Sequence, residues 1–142
     1  MGEASGATPA AAFPAKATGF GSYQSASYNP LEESAGKEFG VPAGVLTQLR
    51  TKGEKSNANQ VSEVGARSVY QITPETRQLI IQKYQFDPWA NPKDAARGAA
   101  IVARDMYRKF GNWNDAMTGY HGGNDPRNWG PRTRAYTQRT KM

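Results

Sequence analysis

The stretch that decides the fold spans residues 53–74 and reads GEKSNANQVSEVGARSVYQITP. Most of it is polar, and its Asn, Ser and Gly residues favour turns, either by bonding to nearby backbone or by tolerating unusual backbone angles. It closes on Thr73-Pro74, a helix start, because Thr caps free amide groups and Pro suits the first helical position. We therefore expect a polar loop, with at most a small β element near residues 60–72, to lead into a helix.

The residues before this stretch predict two helices. The first starts at Asn29-Pro30, which suits an N-cap and a first helical position, and stops at Gly40. The second starts near Pro42 and ends around Gly53. Apolar side chains recur at helical spacing in both. They are Leu31, Ala35, Phe39, Val45, Leu46 and Leu49.

The residues after it predict the remaining helices. One follows Thr73-Pro74 directly, and the longest runs from Asn91-Pro92 to Gly111. A short helix ends at Met117, and Pro131 opens the last one. No strand-like alternation is long enough for a sheet, so the predicted fold class is mostly α.

The composition sets limits on function. The chain has 142 residues, enough for one domain with a core, and a net charge of +6. A basic surface favours polyanionic partners, namely nucleic acid, an anionic membrane or the acidic bacterial wall. With no cysteine and one histidine, a metal centre is not expected. No nucleic-acid-binding motif occurs, and no apolar run reaches the roughly 18 residues that span a membrane.

Residues 1–28 are rich in Ala, Gly, Ser, Thr and Pro and show no helical or strand period. This composition favours a flexible tail, whereas the spaced aromatic residues favour a docking arm that anchors the chain on a partner. The start of the chain lacks the basic and apolar segments of a secretory signal, so we expect no entry into the general export route by itself. We expect the ordered domain to occupy residues 29–142.

A second informative stretch, residues 119–131, reads GYHGGNDPRNWGP. Together with residues 53–74, it resembles the lytic transglycosylase domain of the soluble-lytic-transglycosylase (goose-lysozyme-like) family. The resemblance covers about residues 35–138, and its C-terminal part looks most like transglycosylases carried in phage particles. The positions that match the family motifs are Asn57, Asn59, Val61, Ser62, Gly65, Ala66, Gln71, Ile72, Pro74 and Tyr120, with Gly123 nearby.

The resemblance implies a lysozyme-like helical domain that cleaves the β-1,4 bond between N-acetylmuramic acid and N-acetylglucosamine in peptidoglycan. In this family, one carboxyl group first donates a proton to the bridging oxygen. It then takes a proton from the C6 hydroxyl of the muramic acid, which closes a 1,6-anhydro ring. Most glycosidases use two carboxyl groups, but exceptions to that pattern exist. The resemblance implies no cofactor and no metal.

The sequence departs from the family at the catalytic position. The family's catalytic Glu aligns with Gly53, and the carboxylate here, Glu54, comes one residue later. On a continuing α-helix, one residue turns a side chain by about 100°. Two interpretations remain open. Either Gly53 relaxes the helix end and Glu54, the candidate catalytic residue, points into the cleft, or the site is catalytically dead.

The resemblance also places other residues around the cleft. Ser68 and Gln71 are expected to bond to N-acetyl and hydroxyl groups of the sugar. Tyr70 and Tyr120 are expected to line the substrate site and to supply apolar walls against the catalytic acid. The Tyr120 hydroxyl would also orient that acid, with core packing as the alternative. His121 is expected to contact substrate or to order its loop, with a general base as the alternative.

The leading hypothesis is a transglycosylase of a phage virion that opens the host cell wall, from the periplasm, during genome entry. Residues 1–28 would tie it to other virion proteins. The alternatives are a transglycosylase of a secretion or conjugation apparatus, a hydrolase that uses water, and an inactive glycan-binding or structural protein on the same fold. Nucleic-acid binding, which only the charge suggests, ranks behind all of these.

Overall fold

Helices dominate residues 19–142, the part of the chain that the computed structural model describes. The α-helices are α1 (Asn29–Phe39), α2 (Ala43–Gln48), α3 (Pro74–Tyr84), α4 (Pro92–Phe110), α5 (Trp113–Gly122) and α6 (Pro131–Thr140). A π-helix, Leu49–Glu54, continues α2, and short 3-10 turns lie at Ala26–Tyr28 and Pro126–Asn128. The predicted mostly α architecture is confirmed.

Local signals set most of the helix boundaries. The side chains of Thr73, Asn91 and Asn112 accept hydrogen bonds from backbone amides in the first turns of α3, α4 and α5. Gly40 and Gly111 end α1 and α4 in the left-handed conformation, at φ of 74° and 80°. These ends are predictable because a cap depends only on residues within one turn of it.

The start of α1 differs from the prediction by one residue. Asn29 is the first helical residue and Tyr28 is the N-cap, without a side-chain hydrogen bond to the helix. The Asn29 amide oxygen accepts a hydrogen bond from the Arg50 guanidinium at 3.0 Å. The Asn29 side chain, which the sequence predicts as the cap of the helix, therefore binds the buried Arg50 instead.

Helix α5 is longer than predicted, because it continues past Met117 to Gly122. Glycine disfavours a helix interior, but Gly119 permits close packing of α5 on α4. A Cβ atom at Gly119 would lie 2.6 Å from the ring of Phe110. The extension places Tyr120 on a helix rather than on a loop, which gives its side chain a defined direction.

The centre of the domain is α4, which packs against α1 and α5. Its inner face consists of small, buried side chains, which let the neighbouring helices approach closely. These are Ala95, Ala96, Ala99, Ala100 and Ala103. Larger buried side chains from α2, the π-helix, the following loop and α5 complete the core. They include Val45, Leu46, Leu49, Val69, Ile72 and Met117.

The loop between the π-helix and α3 contains the small β element that the sequence predicts. Arg67 forms isolated antiparallel bridges to Val61 and to Ile72, and no sheet forms within residues 19–142. Ser68 and Gln71 have φ values of 76° and 50°, in the left-handed region. This region of backbone angles favours glycine, and other residues adopt it uncommonly.

Residues 19–28, which the sequence analysis assigned to the tail, pack against the helices. The rings of Phe20 and Tyr28 meet edge to face, with centroids 5.2 Å apart, and Tyr28 is fully buried. Arg50 donates hydrogen bonds to two backbone carbonyls of this segment, at 2.6 and 3.1 Å. The prediction of a docking arm therefore applies only to residues 1–18, which lie outside the described residues.

Candidate active site

Glu54 is the last residue of the π-helix. The Lys55 amide donates to the Arg50 carbonyl at 3.2 Å, so this bond spans five residues instead of the four of an α-helix. Lys55 has a φ of 52°, which ends the helix directly after the carboxylate. Each π-turn contains one more residue than an α-turn. A π-turn can therefore accommodate a carboxylate that comes one residue later in the sequence than in an α-helix.

Tyr136 of α6 occupies the space next to Gly53. A Cβ atom built at Gly53 would lie 2.5 Å from Cζ of the Tyr136 ring, closer than side-chain atoms approach one another. Gly53 is buried, whereas Glu54 is half-buried and reaches the surface. No side chain fits at position 53 in this packing. The next residue along the chain, Glu54, carries the carboxylate.

The Tyr136 hydroxyl lies against the Glu54 carboxylate. Tyr136 is fully buried, and burial raises the pKa of its hydroxyl well above the ordinary value. The negative charge of Glu54 raises that pKa further. The hydroxyl therefore stays protonated across the neutral range, and it has no hydrogen-bond partner among the described residues in this conformation.

Tyr120 connects the same carboxylate to the loop before α3. It is almost fully buried on α5, and its hydroxyl donates to the backbone carbonyl of Tyr70 at 2.7 Å. Burial, and then the negative charge of Glu54, raise the pKa of Tyr120 well above its ordinary value. The structure thus places Tyr120 near enough for the charge of Glu54 to act on it, and uses its hydroxyl to hold the loop.

Tyr70 lies beneath this loop rather than at its surface. Its side chain is fully buried, and its hydroxyl donates to Oε2 of Glu32 at 2.7 Å. Its ring meets the Tyr28 ring edge to face, with centroids 5.9 Å apart. The side chain supports the loop from the core, so in this conformation it does not face a sugar.

Ser68 and Gln71 are also buried within the loop. The Ser68 hydroxyl accepts from the Tyr70 amide at 3.2 Å. The side-chain amide of Gln71 donates to the carbonyls of Ser68 and Gln60, at 2.8 and 3.2 Å. Its oxygen, Oε1, finds no hydrogen-bond donor among the described residues. A buried acceptor without a donor is costly, so this oxygen is an unsatisfied group of the loop.

His121 packs behind Tyr136. The two rings are stacked, with centroids 4.4 Å apart, and Nδ1 of His121 lies 3.1 Å from the Thr133 hydroxyl. Burial, together with positive charges that include Arg139 and Arg132, lowers the pKa of His121 to about 4. The ring is neutral at neutral pH, where so low a pKa makes it a weak base. Its contacts are those of a side chain that supports Tyr136.

Sequence reasoning missed Tyr136 as a site residue and assigned it only to the last helix. A signal was present. The buried residues of α6 are Thr133, Tyr136 and Thr140, which recur at helical spacing on an otherwise polar helix. That stripe identifies the inward face of α6, but the carboxylate it meets comes from a distant part of the sequence.

A buried ion pair beneath the site was also missed. Arg50 of the π-helix donates from Nε to Oε2 of Glu32 at 2.8 Å and from Nη2 to Oε1 at 2.9 Å. Both side chains are at most 1% exposed. The signal was the position of Glu32, three residues before the core residue Ala35, which puts it on the same face of the helix. This pair anchors the first turn of the π-helix to α1.

Two possible features do not occur in residues 19–142. No group of three or more His, Cys, Asp or Glu side chains is placed to hold a metal ion. No helix there is both long enough and apolar enough to cross a membrane.

The fold and the site define a transglycosylase domain. Residues 30–141 match the family "Transglycosylase SLT domain", so the chain belongs to that family and the predicted resemblance is confirmed. It is similar to the "Transglycosylase" of Enterobacteria phage PRD1, with 33% identity over 94 residues, which are 66% of this chain and 32% of the phage protein. The chain thus covers about a third of that relative's length. No solved structure matches the chain significantly.

Proposed function

We propose that this chain is a peptidoglycan lytic transglycosylase in which Glu54 is both the acid and the base. The observation that carries the proposal is the π-helix before Glu54. It contains one residue more per turn than the α-helix that the family alignment assumes. We infer that this extra residue brings the side chain after the glycine to the place where the family's catalytic Glu is expected.

The reaction needs only one carboxyl group. Protonated Glu54 gives its proton to the bridging oxygen between N-acetylmuramic acid and N-acetylglucosamine, and that bond to C1 breaks. The Glu54 carboxylate then takes the proton of the C6 hydroxyl, while the oxygen of that hydroxyl attacks C1. The new bond closes the 1,6-anhydro ring, and Glu54 regains its proton, so no water is consumed. In the proposed reaction, the Tyr136 hydroxyl donates to the carboxylate and keeps it in one orientation through both steps.

Among the predicted substrate-binding residues, Gln71 is the one whose side chain keeps an unpaired acceptor, although it is fully buried in this conformation. Its Oε1 is an acceptor that suits the N–H of an N-acetyl group or a sugar hydroxyl. Ser68, Tyr70 and Tyr120 support that contact through the bonds that hold the loop. His121 contributes through its stacking on Tyr136.

The setting that fits best is a phage virion, in which the domain opens the host wall from the periplasm during genome entry. The similarity to a phage protein named as a transglycosylase supports this setting. The net charge of +6 also favours approach to the anionic wall. Residues 1–18 would then provide the link to other virion proteins.

The test is digestion of purified peptidoglycan by the parent chain, by Glu54→Gln and by Glu63→Gln, with products identified by mass spectrometry. Glu63 is the matched control because it is an exposed carboxylate in the loop that follows the π-helix. We expect 1,6-anhydro products from the parent and from Glu63→Gln, and none from Glu54→Gln. Reducing-end products would mean a hydrolase. Absence of any product from a folded parent that still binds the wall would leave a binding protein.

A further inference from the structure

The carbonyl groups just before Glu54 have a side-chain partner. The guanidinium of Arg139, in the last turn of α6, donates from Nε to the Lys52 carbonyl at 2.8 Å and from Nη2 to the Gly53 carbonyl at 2.9 Å. The last carbonyls of a helix have no partner within the helix itself. The Gly53 carbonyl belongs to the peptide bond that leads into Glu54, so Arg139 holds the peptide plane next to the carboxylate residue.

The same guanidinium also lies over the Tyr136 ring, 5.0 Å from its centroid. The Tyr136 ring fills the space beside Gly53, and the charge of the Glu54 carboxylate acts on its hydroxyl. Arg139 thus reaches Glu54 by two independent routes, one through the backbone of the π-helix and one through the tyrosine. Its side chain is otherwise exposed, so it contributes little to the core.

We propose that Arg139 is a positioning residue for Glu54, an inference that rests on the proposed function. A π-helix is rare, and one that ends in a left-handed residue after six positions needs support from outside. The planar fork of an arginine matches two neighbouring carbonyls, whereas a lysine presents a single point of charge. Arg139 itself does not act on the substrate.

The test compares the parent with Arg139→Gln, Arg139→Lys and Arg134→Gln. Arg134 is the matched control, because it is exposed on the same helix and its loss removes the same charge. We expect Arg139→Gln to lower kcat for release of 1,6-anhydro products by about ten- to a hundredfold, since a small misplacement of a reacting group is enough for such a loss. KM should stay within about twofold, because binding groups are untouched. Arg139→Lys should recover part of kcat.

A second measurement does not depend on activity. The Lys55 amide closes the π-helix on the Arg50 carbonyl, so its hydrogen exchange reports whether this helix end is held. We expect faster exchange at Lys55 in Arg139→Gln, with the thermal midpoint lowered by less than about 5 °C. Arg134→Gln should exchange as the parent does.

Unchanged exchange at Lys55 in Arg139→Gln would overturn the proposal, and so would a kcat equal to that of the parent. An equal loss of kcat in Arg134→Gln would assign the effect to charge alone and would overturn it as well. If the folded parent releases no product, the proposed function fails. The exchange at Lys55 then decides by itself whether Arg139 holds the π-helix.

Discussion

The Tyr136 ring stands where a side chain at Gly53 would project, with its Cζ 2.5 Å from the position of a Cβ there. Residues 53 and 136 belong to the two elements that form the site, the π-helix and α6. The contact leaves no room for a side chain at position 53. It also makes the glycine a structural requirement, which direct substitution can test.

We predict that Gly53→Ala lowers the free energy of unfolding by about 1–3 kcal/mol, the usual cost of overpacking a core. The added methyl group must displace Tyr136, so activity should fall as well. Urea unfolding measures the first effect. Gly44→Ala is the control, because a Cβ there would meet only the Met142 side chain at 3.5 Å. That substitution should be neutral or stabilising by up to about 1 kcal/mol, since Ala favours a helix. Equal stability of the two variants would contradict the prediction.

The Tyr136 hydroxyl can be removed without disturbing the ring. We expect Tyr136→Phe to lower kcat by about ten- to a hundredfold, because the proposed mechanism uses this hydroxyl to orient the Glu54 carboxylate. Stacking on His121 should remain, so stability should change little. The control is Tyr107→Phe, whose ring stacks on Trp113 at the surface, away from the proposed site. A kcat for Tyr136→Phe equal to that of Tyr107→Phe would remove Tyr136 from the mechanism.

Removing one partner of the Glu32–Arg50 ion pair should lower stability far more than replacing both partners with apolar residues. We predict that Glu32→Gln costs about 3–5 kcal/mol of stability, because it leaves a buried guanidinium without its counter-charge. Replacing both residues with Met should restore part of the loss. Glu38→Gln breaks an ion pair with Arg97 in which the Glu38 side chain is 43% exposed. This substitution should lower the free energy of unfolding by less than about 1 kcal/mol. Urea unfolding of all four proteins tests the difference.

The neutral His121 predicts a dependence of stability on pH. Its pKa is lowered to about 4 in the folded chain, against about 6.5 when unfolded, so the unfolded chain binds more protons between these values. The contribution of neutral His121 to folding stability is therefore complete above pH about 6.5 and is lost as the pH falls toward about 4. Solvent reaches part of the ring, so we expect a loss on the order of 1 kcal/mol.

The variant His121→Asn isolates this contribution, since other acidic groups titrate in both proteins. Urea unfolding at pH 7 and pH 4.5 should show a smaller decrease for the variant than for the parent. If the two proteins lose the same stability on acidification, His121 has no such role.

Much of the fold could be read from the sequence. Caps such as Asn91 and stops such as Gly111 depend on residues within one turn, so short-range patterns place α4 correctly. The family was also predictable, because the motifs of residues 53–74 and 119–131 keep their spacing. The small β element of the loop follows from its turn residues in the same way.

The geometry of the site could not be read in this way. The sequence offers Glu54 and leaves open whether it reaches the cleft, since an α-helix would turn it away by about 100°. The side chain that packs on Gly53 in the π-helix is Tyr136, which comes from a helix that is remote in the sequence. The burial of Tyr70 depends in the same way on Glu32. Local preferences along the chain determine where helices start and stop, whereas contacts between distant helices decide which side chain meets the carboxylate, because packing energy outweighs a single turn's preference.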